Sequence, residues 1–240
     1  MAEKRQEVGI VKALYRYPVK SMKGESVAET NVYWHGLDGD RRYAFVRGDI
    51  RSSFPWLSAR QIPEMLTYVP SFADPTDANN SKVTVLTPNG RSLSVSSPEL
   101  LAELAETYGA DVSLINIGRG AFDSIPLSVM STATADALNA DFRRFRQNIV
   151  IETSSGEPFA EEDWVGQALT IGDNVRIRMN RRIPRCVMVT VDPETAVKEP
   201  SILKTIAQTR DNCVGVHAST EMPGRIAVGD MVWLDGIPSL

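Results

Sequence analysis

Leu169-Thr170-Ile171-Gly172-Asp173-Asn174-Val175-Arg176-Ile177-Arg178-Met179-Asn180-Arg181-Arg182-Ile183-Pro184-Arg185-Cys186 carries both the fold signal and the chemistry of this chain. Leu169 to Ile171 and Val175 to Met179 flank Gly172-Asp173-Asn174, a cluster suited to the positive φ of a tight hairpin. In the second run Val175, Ile177 and Met179 share one face and Arg176 and Arg178 the other, the period of a half-buried strand. Five of the ten residues from Arg176 to Arg185 are arginine, although the formal net charge of the chain is -4. A thiol closes the run. Guanidinium neighbours favour the thiolate, which can act as a nucleophile or hold a soft metal.

Other segments repeat the strand pattern. Val8 to Pro18 alternates enough for a first strand, and Gly36 to Arg47 opens on a turn and leads into Tyr43-Ala44-Phe45-Val46. Lys82 to Leu86 and Ser92 to Val95 flank Pro88-Asn89-Gly90, a hairpin signal. Helices are few and short. Ser97-Pro98 starts one whose apolar stripe is Leu100, Leu101, Leu104 and Ala105, with Gly109 at its end. A second is expected over Ala133 to Phe142, capped by Ser131 or Thr132, and a third over about Ser201 to Thr209. Pro70 to Ser81 reads as an exposed loop. No period of 20-50 residues repeats, which excludes solenoids and propellers. The expected fold is mainly β (α+β), a β-barrel with peripheral helices. A soft boundary near Gly118 divides it into residues 1-118 and 119-240.

Composition narrows the function classes. A chain of 240 residues can bury roughly 70-75% of its unfolded surface and needs no disulfide or structural zinc to fold. Mild acidity argues against a general nucleic-acid coat, and one short basic cluster suits a small anionic ligand better. Two cysteines, Cys186 and Cys213, make neither a disulfide framework nor a zinc pattern. The charged stretch Met1 to Val8 lacks the apolar core of a secretion signal, and no run approaches a membrane span. These features together predict a cytoplasmic protein with reduced thiols.

Tyr17-Pro18-Val19-Lys20-Ser21, Gly36-Leu37 and Asp40-Arg41 resemble the N-terminal β-barrel domain that precedes MOSC domains. Arg146-Gln147-Asn148-Ile149-Val150-Ile151, Trp164, Leu169-Thr170-Ile171-Gly172, Arg185-Cys186 and Asp192-Pro193-Glu194-Thr195 are similar to the MOSC domain itself, found in molybdenum cofactor sulfurases and amidoxime-reducing components. The resemblance spans about Val8 to Leu234. It implies an N-terminal MOSC-type module over 1-118 and a MOSC domain over 119-240.

It also implies a molybdenum-molybdopterin cofactor. Cys186 would ligate molybdenum and be the catalytic position, or would carry sulfur in a sulfurase. Lys20, Ser21 and Arg41 would bind the phosphate end, Arg146 and Asn148 the pterin system, with Ser131, Thr132 and Arg185 as further contacts. Pyridoxal phosphate binding is a family-level association. The implied activity is reduction of N-hydroxylated or related N- and S-oxygenated small molecules, with electrons from a separate donor protein and no nucleic-acid or membrane partner. Gln147 stands where relatives often carry proline, and Ala196 where glycine is common; neither departure removes a ligand.

Each residue has a plainer reading. Cys213 lies in apolar Cys213-Val214-Gly215-Val216 and reads as structural. His35 and His217 are isolated, although His217 could serve as the base of a cysteine hydrolase. Asp192-Pro193 reads as a turn, Trp164 as packing, and Arg143, Arg144, Arg181 and Arg182 as surface or paired charges. Three classes remain: a molybdenum oxidoreductase, a sulfur or cofactor carrier, and a binding domain that has lost its cofactor. Lys20, Arg41, Asn148 and Cys186 together disfavour the third.

Overall fold

The computed structural model describes residues 5-118 and 126-235. In chain order the strands and helices are β1 (Gln6–Arg16), β2 (Glu25–Val27), β3 (Glu29–Tyr33), β4 (Gly36–Leu37), β5 (Tyr43–Arg47), β6 (Val69–Phe72), β7 (Val83–Leu86), β8 (Ser92–Ser94), α1 (Pro98–Tyr108) and β9 (Val112–Asn116). They continue as β10 (Leu127–Ser131), α2 (Thr132–Ala137), β11 (Ile149–Thr153), β12 (Ala168–Ile171), β13 (Val175–Pro184), α3 (Pro200–Thr209), β14 (Cys213–Met222), β15 (Gly224–Ala227) and β16 (Met231–Asp235). The fold is mainly β, with three α-helices among the described residues.

The central sheet runs β11-β10-β14-β13-β12-β16-β1, and β1 pairs back onto β11, so that seven strands close a barrel with β2 added beside β1. Closure removes the exposed strand edges that would otherwise template association. The barrel interior is filled from alternate positions: Val11 and Leu14 of β1, Ile149 and Ile151 of β11, Val175, Ile177 and Met179 of β13, and Val216 and Ala218 of β14. The hairpin of β12 and β13 forms as its sequence requires, Gly172 turning with φ +58. β13 runs on to Pro184 rather than stopping at Met179, because the long strand β14 pairs along it through three register shifts.

Residues 19-114 hold a second core. Val19, Met22, Phe45, Leu57, Met65, Val85, Leu100 and Leu104 pack together beneath two small antiparallel sheets, β5-β9 and β6-β7-β8. The expected cap of α1 is present: Ser97 accepts from the Leu100 amide and Gly109 ends the helix at φ +87. β1 and β2 belong to the barrel sheet, and Val32 of β3 and Leu37 of β4 pack in the barrel core rather than in the second one.

Two local expectations change. Pro70 to Ser81 is not all loop, since Val69–Phe72 is an edge strand with alternating burial. Proline is tolerated there because an edge strand needs no donor on its outer side. The helix expected over 133-142 stops at Ala137, and Asn139 adopts φ +48. A separate 3-10 turn, Phe142–Phe145, follows and is capped by Asp141.

Candidate functional site

A cleft of about 350 Å³ lies between the two cores and brings together Lys20, Ser21, Arg41, Arg146, Arg185 and Cys186. Its wall also includes Phe54, Arg60, Ser128, Arg144, Arg181 and His217. Seven cations (Lys20, Arg41, Arg60, Arg144, Arg146, Arg181, Arg185) line it, and no carboxylate does among the described residues. Such a wall concentrates positive potential in a chain that is acidic overall.

Backbone geometry presents the first group. The Lys20 amide donates to the Tyr43 carbonyl at 2.8 Å, and the Arg41 amide to the Tyr17 carbonyl at 2.7 Å. Ser21, Arg41 and Arg146 adopt φ of +66, +47 and +53. Non-glycine residues in this left-handed region cost energy and gather where geometry serves function. Arg41 is further fixed by Asp40 at 2.5 Å, by Asn148 Oδ1 at 3.2 Å and by the Arg146 carbonyl at 3.1 Å. Its guanidinium and that of Arg146 lie 5.0 and 4.2 Å from the Tyr17 ring centroid. Tyr17 is buried and its hydroxyl donates to the Gln147 carbonyl at 3.1 Å.

Asn148 lies beneath the cleft rather than in its wall. It is fully buried, donates from Nδ2 to the Tyr15 carbonyl at 3.2 Å, and accepts at Oδ1 from Ser128 at 3.0 Å as well as from Arg41. Ser131 and Thr132 are not brought to the cleft. The Ser131 hydroxyl is buried as the cap of α2, donating to Thr134 Oγ1 at 2.9 Å while Thr134 in turn donates to buried Glu161 at 3.0 Å. Burial raises the pKa of Glu161. Thr132 faces a different groove, shared with Lys12, Asp136 and Glu152. The capping signal that located these two residues in sequence is what commits Ser131 to the helix.

Cys186 stands at the end of β13, where the chain leaves the barrel and enters a 3-10 turn, Val187–Thr190; its thiol is free and partly exposed. The adjacent Arg185 does not spend its guanidinium on the thiol. Nε donates to the Val214 carbonyl at 2.8 Å and Nη1 to the Phe145 carbonyl at 2.9 Å, across the face of the Phe145 ring. Burial brings its pKa down to about 10, which leaves it charged at neutral pH. Gln147 is buried with Oε1 unpartnered. It and Arg185 crowd Gly215, whose missing Cβ would lie 3.0 Å from Gln147 Nε2 and 3.2 Å from Arg185 Nη2.

The segment after Cys186 is held by Arg144, which the sequence reads equally as a surface or paired charge and as a ligand contact. Arg144 is buried and bonds the Thr190 carbonyl at 3.0 Å, Asp192 at 2.8 Å and Glu199 at 2.9 Å. Asp192 is the expected turn residue, accepting from the Glu194 and Thr195 amides at 2.9 Å each. Burial acts to raise its pKa, but these amides, the Thr195 hydroxyl and Arg144 hold it below the ordinary carboxylate value. Glu194 then bonds Lys23 and Arg143 at 2.6 Å each, tying the segment to both halves of the chain. Ala196 has φ +59. Ala196→Gly should remove a left-handed cost of about 1-2 kcal/mol, offset by about 0.5-1 kcal/mol of glycine chain entropy. A net gain of up to about 1 kcal/mol is expected as a higher urea midpoint with an unchanged slope.

His217 is the wall residue that its sequence setting concealed. It sits on β14 between Ser128 of β10 and Arg181 of β13. Burial first, then the charges of Arg185, Arg181 and Arg41, lower its pKa to about 4, against a favourable carbonyl at Leu127. The unfolded chain therefore binds a proton between pH 6.5 and about 4 that the folded chain does not, and stability falls as pH drops through that window. This contribution lowers the melting temperature as pH falls from 7 to 5, against an opposite one from Glu161, whose raised pKa favours the folded state as pH falls; the loss of melting temperature over that range should therefore be smaller in His217→Gln than in the parent chain. Asp141, Asp192 and Glu194, all held below their ordinary values, lose their contribution only at lower pH.

Residues 89-233 match the model of the MOSC domain and residues 8-120 that of the MOSC N-terminal beta barrel domain. The mitochondrial amidoxime-reducing component 1 of Homo sapiens is 27% identical over 96% of this chain and 84% of its own. A molybdenum cofactor sulfurase of Aspergillus niger is 32% identical over 48% of this chain and 14% of its own. Among solved structures, the YUAD protein of Bacillus subtilis shares the fold at a TM-score of 0.50 and 12% identity, covering 98% of this chain and 99% of its own. With a matching barrel, a matching N-terminal module and the cleft between them, this chain belongs to the MOSC domain family.

Proposed function

We propose that the cleft binds the molybdenum-molybdopterin cofactor and that the protein reduces N-hydroxylated or related N- and S-oxygenated compounds. The observation that carries this reading is a wall of seven cations, free of carboxylates among the described residues, that ends on a thiol. A phosphorylated dithiolene metal centre needs that donor set, cationic forks for the phosphate and a soft ligand for the metal. The amidoxime-reducing relatives support the activity.

Lys20, Ser21 and Arg41 would hold the phosphate, Arg146 the pterin, and Cys186 the metal. When bound, the cofactor supplies two-electron reduction of an N–O or S–O bond. The chain's own residues bind, orient and insulate. Asn148 and Asp40 fix Arg41, so its guanidinium is already oriented when the anion arrives. Arg144 fixes the segment that carries Cys186. Phe54 and Phe145 narrow the cleft against water. Electrons would come from a separate donor protein, and the two free cysteines suit a reducing, cytoplasmic setting. No helix among the described residues is long and apolar enough to cross a membrane.

Protein made in a host that synthesises the cofactor should contain near-stoichiometric molybdenum and reduce benzamidoxime with an artificial electron donor. Metal-free protein carrying cyanide-releasable sulfur on Cys186 would instead establish the sulfur-carrier reading, which the sulfurase relative supports.

A further inference from the structure

Five of the seven cations in the cleft wall are accounted for. Lys20, Arg41 and Arg146 serve the cofactor in the reading above, Arg144 is held by Thr190, Asp192 and Glu199, and Arg185 by the Val214 and Phe145 carbonyls. Arg60 is different. It is exposed at the mouth, and its guanidinium has no carboxylate or carbonyl partner among the described residues. It is nevertheless held in place. The guanidinium lies over the Phe54 ring, 5.0 Å from the centroid, and the Lys20 ammonium lies 5.5 Å from the same centroid. The Phe54 carbonyl accepts from Arg47 Nη2 at 2.9 Å, which fixes the ring's backbone. Arg60 itself stands on a tight turn, its amide donating to Ser58 Oγ at 3.3 Å and the Gln61 amide to the Ser58 carbonyl at 2.9 Å. Ala59 beside it packs with Leu66 and Val191 against Met188, on the segment that follows Cys186. Stacking uses the face of a guanidinium and leaves the N–H donors at its edge.

We propose that Arg60 determines specificity, its guanidinium pairing with a carboxylate on the substrate and so favouring anionic N-oxygenated compounds over neutral ones of the same shape. This rests on the cofactor reading above and deepens it by assigning a charge to the substrate class. A guanidinium presents two parallel donors that match the two oxygens of a carboxylate. No carboxylate of the wall competes for them among the described residues, and the surrounding cations add to the attraction.

The test compares 4-carboxybenzamidoxime with 4-carbamoylbenzamidoxime, which match in size and differ by one negative charge. The 3-substituted pair is run alongside to cover a shorter reach. In the cofactor-loaded protein with an artificial electron donor, kcat/KM should be higher for the carboxylate of at least one pair. The ratio of carboxylate to carboxamide should fall by about 5- to 12-fold in Arg60→Gln, between the strongest exposed ion pairs and the weakest hydrogen bonds to a charged group. Arg60→Glu, which reverses the charge, should lower it further. A ratio that falls in neither pair overturns the proposal, as does a parent that prefers the carboxamide in both. A second reading needs no turnover. Without an electron donor, the Kd of each compound measured by titration calorimetry should show the same preference in the parent and its loss in Arg60→Gln. Kd values that respond equally to the substitution overturn the proposal. Protein that contains no molybdenum fails the cofactor reading instead, and the calorimetric comparison of parent with Arg60→Gln remains measurable in it.

Discussion

Cys186→Ala should leave the barrel intact and empty the cleft of molybdenum. The substituted side chain is partly exposed and lies beyond the end of β13, so no packed volume is lost from either core. Melting temperature is expected to change by no more than a few degrees. Metal content and benzamidoxime reduction should collapse together. Removing residues that merely support a metal ligand lowers affinity or activity by about 10- to 100-fold. Removing the ligand itself should exceed that, so activity is expected to fall at least about 100-fold. Cys186→Ser tests the softness argument, because a hydroxyl of similar size is a poor partner for a thiophilic metal. Molybdenum retained at full occupancy in both variants would remove Cys186 from the metal site. The cationic wall would then need another explanation.

Gly9→Ala should be the most damaging small substitution in the barrel. Gly9 has φ +152, follows a register shift in the β1–β16 ladder, and pairs with Val232 of β16 on one side and Thr153 of β11 on the other. A Cβ there would stand 2.2 Å from the Glu152 carbonyl oxygen and 2.9 Å from the Thr153 Cα. Both obstacles are backbone, so no side chain can rotate away to make room. Overpacking a well-fitted interior costs about 1-3 kcal/mol, and forcing two paired strands apart belongs at or above the top of that range. A loss of about 3 kcal/mol would lower the melting temperature by about 6-12 °C in a chain of this size. Gly90→Ala provides the contrast: φ is +83 but nothing lies within 4 Å of the added carbon. It should cost only its backbone term, about 1-2 kcal/mol. Equal losses in the two variants would show that the barrel seam tolerates expansion.

The local elements were legible because their signals are local. Asn89-Gly90 and Gly172-Asp173-Asn174 need backbone conformations that few residues adopt, and Ser97-Pro98 with Gly109 brackets a helix by capping chemistry alone. The strand pattern gave a barrel but not which strands close it, since the pairing of Gly9 with Thr153 joins positions that no local pattern connects. Lys20, Ser21, Arg41 and Arg146 were found through a family resemblance, Arg185 and Cys186 through the arginine-rich run that closes on a thiol, and all six converge on one cleft. Asn148 supports that cleft from below instead of facing it. His217 carried a weak signal: in β14 its neighbours Val216 and Ala218 alternate inward, which turns it to the opposite face from the barrel core. Arg144 carried none, because burial of an arginine by three partners from one later segment is a tertiary fact.

The seam made by β1 also bears on how the molecule comes to exist. During synthesis β1 leaves the ribosome before the other elements described, yet both of its neighbours in the ring, β11 and β16, are made much later. The core of residues 19-114 has its partners close at hand and can assemble while the rest is still being made. The first strand must therefore wait, tethered to a folded neighbour, until the last one arrives to shut the ring.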